Sequence, residues 1–258
     1  MRFLLPVWTL WRRELVRFAR QRSRVIASLS QPLLFWVLLG AGLRGSFQSP
    51  GAPAGGGYLE YAFPGVLALV ILFTAIFATI SIVEDRREGF LQGVLVAPVP
   101  RPLIVLGQAL GGATLAVVQG TLFLLLAPVA GIRLGVAGVG WALASMSLLA
   151  LGMTGLGLII AWRLDSTHGF HAIMNLVLMP LWLLSGALFP ASGAAGWLAA
   201  VMHLNPLTYG MAALRRALYL ADPAVAGSLP GLFPSLAIMA SFSLLTLALA
   251  SLAALRRT

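Results

Sequence analysis

The sequence predicts an all-α polytopic membrane protein, and three observations predict it. Hydrophobic residues fill 60% of the 258 positions and charged residues only 9%, against roughly 25% charged in soluble domains. The apolar residues form long continuous runs, with no charge at all in 61–83 or 102–132. They do not alternate as the strands of a membrane β-barrel do. A bilayer core of about 30 Å takes roughly 20 apolar residues per helix, and the pattern fits six crossings. All 17 basic residues are arginine and the net charge is +10. On a membrane chain that balance points to topology and anionic lipid, with no nucleic-acid partner expected. There is no cysteine, which excludes disulfides and thiolate chemistry.

In chain order, residues 4–21 read as an interfacial helix. Leu4, Val7, Trp8, Trp11, Leu15 and Phe18 make one face, and Arg13, Arg17, Arg20 and Arg24 the other, the pattern of a helix lying in the headgroup plane. No small-residue cleavage site follows, so no cleavable signal is expected. The first span is 25–43 with Pro32 inside it, which membrane helices tolerate. A Gly/Pro-rich loop leads to the second span at 58–83, with Glu60 near its end. The third span lies within 103–130 and the fourth within 139–162, whose Gly152, Gly155 and Gly157 suit close helix packing in lipid.

The fifth span is 171–189. Residues 190–214 carry no charge, but PASGAAG and NPLTYG flank only nine largely apolar residues. Those nine cover about 13 Å as a helix, too little to cross, so the segment is expected to dip in and return. The last span is 232–255. With six spans both termini share a side, and thirteen arginines lie on that side against four opposite. Arginine excess marks the cytoplasmic face, which places both termini in the cytoplasm.

Residues 84–102, EDRREGFLQGVLVAPVPRP, form a polar island between apolar runs. Glu84 to Glu88 hold three acids and two bases, and Phe90, Leu91, Val94 and Leu95 then recur at helical spacing until Pro98. Topogenic charge explains the acids and bases. It does not explain four large hydrophobes on a short cytoplasmic loop, which need lipid or a partner to cover them.

The spans hold no ionisable group at their centres, so an ion-coupled relay is not expected and the energy must come from elsewhere. His168 and His171 lack a third ligand for a metal. No hydrolase arrangement and no GxxxxGK[ST] phosphate loop occurs, so no enzyme activity and no cofactor is expected in this chain. A non-transporting assembly factor docking some other cytoplasmic protein remains the alternative on these grounds.

Glu84, Arg87, Gly89, Leu95, Pro98, Val99 and Arg101, followed by Gly107 and Gln119, resemble the first cytoplasmic loop of ABC-2 type permeases. The segment Asn205–Tyr219 is similar to the asparagine-proline stretch before the last span of that family. The resemblance implies a permease subunit in a bacterial or archaeal cytoplasmic membrane. It would pair as a homodimer on two copies of a separate ATPase, which binds ATP and Mg²⁺. The coupling helix that docks the ATPase would be residues 88–97, with Glu84, Arg87, Glu88, Gly89, Phe90, Leu91, Val94, Leu95, Pro98 and Arg101 as docking residues. A hydrophobic or amphipathic cargo (a drug, lipid or lipid-linked glycan) would be exported past Phe73, Phe77, Asn175, Met179 and Trp182.

Overall fold

The computed structural model describes residues 4–42, 58–189, 194–222 and 229–256, and every regular element among them is a helix. In order these are α1 (Leu4–Arg20), α2 (Arg22–Gly42), α3 (Tyr58–Ala78), α4 (Ile80–Arg87), α5 (Phe90–Val96) and α6 (Arg101–Leu124). They continue as α7 (Val136–Ala161), α8 (Thr167–Leu183), α9 (Gly196–Leu204), α10 (Pro206–Leu218) and α11 (Leu232–Arg256).

Among the described residues four helices are long and apolar enough to cross a membrane: Tyr58–Arg87, in which α3 runs on into α4, then α6, α7 and α11. The expected fifth span comes out shorter at its end, whereas the first lies along α2. Helix α2 contains the expected first span except for its last residue, and the apolar stretch found among the described residues is Leu29–Gly42. Leu43 lies outside the described residues. The helix expected at 171–189 runs from Thr167 to Leu183; the chain then turns through Gly186 at φ 83°, a backbone region that glycine adopts without strain. The third span also ends early, at Leu124, in a run of turns closed by Ile132 N–H donating to the Ala127 carbonyl.

The core centres on α3, where Phe63, Leu67, Ile71 and Ile76 are wholly enclosed. Helix α7 lies against α11 through small residues. A side chain at Gly155 would collide with Thr246, and Ser243 Oγ donates to the Leu148 carbonyl at 2.8 Å. Lipid-embedded helices gain by such close approach, since apolar contact alone gives no preference over lipid tails. One polar pair ties the centre together: Thr74 Oγ1 of α3 donates to Gln119 Oε1 of α6.

Before the last long helix, Pro190 to Gly193 lie outside the described residues, and the nine-residue helix appears as α9. The NPLTYG stretch expected to break it instead opens α10. Asn205 Oδ1 accepts from Leu207 N–H at 3.0 Å and Pro206 stands at the first helical position, two start signals acting together. Asn205 Nδ2 also donates to the Leu181 carbonyl at 2.7 Å, fastening the α9–α10 junction to the end of α8. Arg215, expected in an outer loop, is buried in α10 with its guanidinium 4.4 Å from the Tyr61 ring centre and donating to the Tyr61 carbonyl.

Candidate functional site

The polar island folds as a sharp two-helix corner. Helix α4 continues α3 to Arg87, the chain reverses at Gly89 with φ 78°, and α5 runs from Phe90 to Val96. No atom stands within 4 Å of where a side chain at Gly89 would lie, so conformation and not space demands glycine there. Pro98 and Pro100 cannot donate to a continuing helix, and α5 ends before them. Pro102 falls in the first turn of α6, where its missing N–H costs nothing.

Three sets of bonds bind this corner to the bundle. Asp85, 1% exposed, accepts from Nη1 and Nη2 of Arg13 at 2.6 and 2.5 Å and from Arg17 Nη1 at 2.9 Å. Arg17 Nη2 reaches Glu84 Oε2 at 2.6 Å. Arg13 and Arg17 were expected to face headgroups; they point instead at the island, because a doubly bonded carboxylate outcompetes water for a planar guanidinium. Arg86 donates to the Leu164 and Trp162 carbonyls and pairs with Asp165 at 3.0 Å, gripping the turn that starts α8. Arg101 donates to the Ala254 and Leu255 carbonyls, holding the last turn of α11.

The fit of α1 depends on its other face. Val7, Leu10 and Glu14 are its buried residues, where the apolar stripe had been expected at Leu4, Val7, Trp8, Trp11, Leu15 and Phe18. They lie on Gly107 and Gly111 of α6, where a side chain at Gly111 would stand 2.8 Å from Glu14 Cβ. Leu4 and Trp8 are left exposed. Burial pushes the Glu14 carboxyl above its ordinary range, and Arg13 beside it pulls the other way. Between the ordinary carboxylate range and the raised value the folded protein binds more protons there than the unfolded chain, so stability should fall as pH rises through that window, above which Glu14 is charged. Glu14→Gln should flatten that slope in a detergent melting series. An undiminished slope would place the titrating group elsewhere.

The apolar side chains of α5 do not share one fate. Leu91 is 3% exposed and part of the core, and Leu95 packs partly onto it. Val94 is half-buried. Phe90 lies 43% exposed with the Arg13 guanidinium 3.9 Å from its ring centre, and Val96 is 87% exposed. Arg87, Glu88, Gln92 and Pro98 also face outward. The surface available to another molecule thus includes Arg87, Glu88, Phe90, Gln92, Val96 and Pro98. An open groove of about 640 Å³ runs beside it between Leu5, Pro6 and Thr9 of α1 and Gly93 and Ala97. Periodicity points to Phe90, Leu91, Val94 and Leu95, of which Phe90 is exposed, and does not reach Asp85, Val96 or the contacts of the α1 arginines.

A second feature is a cavity of about 500 Å³ bounded by α1, α2, α3 and α8. Phe73 and Phe77 from α3 and Met179 and Trp182 from α8 line it, with Phe18, Gln31, Phe35, Thr74 and His171. Phe73 and Phe77 stand 5.5 Å apart and His171 lies 5.1 Å from Phe77. Trp182 Nε1 donates to the Gly65 carbonyl at 2.8 Å, which fixes its ring. Asn175 is on an exposed face of α8 and is not in the lining.

Among the described residues no cluster of three metal-ligating side chains occurs. The geometry is that of a membrane helix bundle with a braced corner at one end and an aromatic cavity within it. Residues 6–219 match the family described as ABC-2 type transporter. A putative transport permease ycf38 from Cyanophora paradoxa is 27% identical over 216 residues, which cover 83% of this chain and 74% of that protein. Nodulation protein J of Rhizobium meliloti (strain 1021) is 27% identical over 80% of this chain and 78% of its own length. The probable multidrug ABC transporter permease YbhR of Escherichia coli (strain K12) is 25% identical over 71% of this chain and half of its own length. With most of its length inside the family match and long apolar helices through its core, the chain belongs to the ABC-2 type transporter family and is a multi-pass membrane component of an ABC transporter.

Proposed function

We propose that the chain is the permease of an ATP-binding-cassette exporter in a bacterial or archaeal cytoplasmic membrane. It works as a homodimer on two copies of a separate ATPase subunit, which alone binds ATP and Mg²⁺. The observation that carries this reading is the corner α4–α5, which offers a small outward surface while Asp85 and Arg86 bolt it to α1 and to the turn before α8, and Arg101 just beyond it holds the end of α11. In this reading both termini and α5 lie in the cytoplasm, and α5 is the coupling helix. Helices α2 and α8 complete six membrane helices, and α9 with the start of α10 makes a re-entrant segment.

Movement of α5 with the closing ATPase pair is passed on by rigid contacts. Asp85 carries it to α1, Arg86 to the foot of α8, and the continuous α3–α4 helix to Phe73 and Phe77. Each of these elements walls the cavity, so a shift at α5 changes the cavity's shape. The lining suits a hydrophobic or amphipathic cargo, in keeping with the multidrug name of the E. coli relative. The test is native mass spectrometry of the tagged protein extracted gently from its host. The expected assembly holds two permeases and two ATPase subunits; a permease that flies alone or with an unrelated protein contradicts the proposal.

A further inference from the structure

Helices α6, α7 and α11 each run unbroken, whereas the rod from Tyr58 to Arg87 passes from α3 to α4 at Thr79. There Thr79 N–H donates three residues back, to the Ile76 carbonyl at 3.0 Å, and Ile82 N–H three back to the Thr79 carbonyl at 3.2 Å. This is the tighter spacing of a 3₁₀ turn, which in the middle of a helix often marks a hinge. The Thr79 hydroxyl donates to the same Ile76 carbonyl at 2.7 Å, and a hydroxyl that bonds back to its own helix loosens and bends it.

Two neighbouring helices present bare backbone at the level of this turn. A side chain at Gly112 of α6 would stand 3.3 Å from Ala78 Cβ. One at Gly157 of α7 would meet Thr79 Oγ1 at 2.7 Å and Ile76 Cα at 3.3 Å. Helices interlock through side-chain ridges set into grooves, and glycine raises no ridge, so neither neighbour pins the turn. The lengths on either side are fastened. Above it Thr74 bonds to Gln119 of α6; below it Asp85 and Arg86 hold α4 to α1 and to the turn before α8. A displacement of α4 is therefore taken up at the turn between them. Phe77 and Ala78, which close α3, line the cavity, and Phe77 stands 5.1 Å from His171 of α8.

We propose that the Ala78–Thr79 turn is the hinge of the permease, on which α4 swings against Gly112 and Gly157 and so shifts Phe77 and Ala78 relative to α8. Relaxation from 3₁₀ to α geometry turns the following helix by about 20° and shortens it by about 0.5 Å for each residue converted. The hinge is read from the fold; that α5 is what drives it rests on the coupling assignment above.

Hydrogen exchange, read by mass spectrometry of peptic fragments, tests it with Thr79→Ala/Gly157→Ala as the locked form. Alanine at 79 removes the two atoms that a methyl at 157 would meet first, so the pair refills the contact without the back-bonding hydroxyl. In the solubilised protein alone, amides of 79–83 should exchange at least about tenfold faster in the parent than in the double variant, with 66–72 and 105–116 unchanged. Equal rates at 79–83, in a double variant that melts with the parent, overturn the hinge. If the double variant melts earlier, Thr79→Ala alone takes its place and the same two outcomes decide. In the complex with its ATPase, ATP, Mg²⁺ and vanadate should speed exchange at 79–83 further while 88–97 stays protected relative to the free permease. Protection of 88–97 with no change at 79–83 overturns the hinge and leaves docking standing. No protection at 88–97 overturns docking, and the comparison in the free protein still decides the hinge.

Discussion

Asp85→Ala should uncouple the protein and lower its stability by about 3 kcal/mol, the lower end of what removing one partner of a buried ion pair costs. The carboxylate is enclosed and holds two guanidiniums at once, so its loss leaves Arg13 and Arg17 crowded together with only Glu84 and Glu14 to balance them. Both arginine side chains keep about a quarter of their surface in solvent, at 27% and 21%, which limits the penalty. Arg13→Ala should cost less, because Arg17 still serves Asp85. Adding Arg13→Ala to Asp85→Ala should recover part of the loss, since the double variant no longer holds the cation that Asp85 had bound in two places. Melting temperatures of the four proteins in one detergent measure this. Strict additivity would mean that the pair does not act as the clamp between α1 and α4.

Leu91→Asp and Val96→Asp, five positions apart on the same short helix, should behave oppositely. Leu91 is in the core, where an aspartate would be buried with no partner. That is among the few mechanisms that exceed about 4 kcal/mol, and the variant should fail to accumulate as a monodisperse protein. Val96 is almost fully exposed, and an aspartate there should leave melting within about 0.5 kcal/mol of the parent. Size-exclusion profiles and melting of the two variants decide it. A well-folded Leu91→Asp would mean that α5 does not rest on the core as described. Leu95→Asp falls between the two cases, because Leu95 packs partly on the core, and a lost partner there could not be told from lost folding.

Much of the bundle was legible because continuous apolar runs have few other uses in a sequence. The runs behind α3–α4, α6, α7 and α11 gave those helices to within a few residues. The ends were harder. Leu125 to Gly131 is as apolar as the helix before it and yet turns, while Asn205-Pro206 starts a helix where a proline had suggested a stop. Helical periodicity in 90–95 correctly marked an apolar face but could not say what covers it, and the chain itself covers Leu91. The pairing of Arg13 with Asp85 spans 72 positions, and nothing local in either segment announces it. Arg215 was missed because arginine in a membrane chain is ordinarily read as a loop marker. Of the five residues chosen for the cargo path, four line one cavity and Asn175 does not. A lone asparagine on an apolar helix carries no sign of which side faces inward.

The most direct measurement is co-purification of the host's ATPase with tagged parent and Val96→Asp proteins after gentle solubilisation. Melting is checked on both samples so that folding is held constant. The coupling assignment predicts that one ATPase accompanies the parent and is lost from the folded variant. A folded Val96→Asp that retains the full complement of ATPase would contradict it, and the braced corner would then be a structural joint with the docking surface elsewhere.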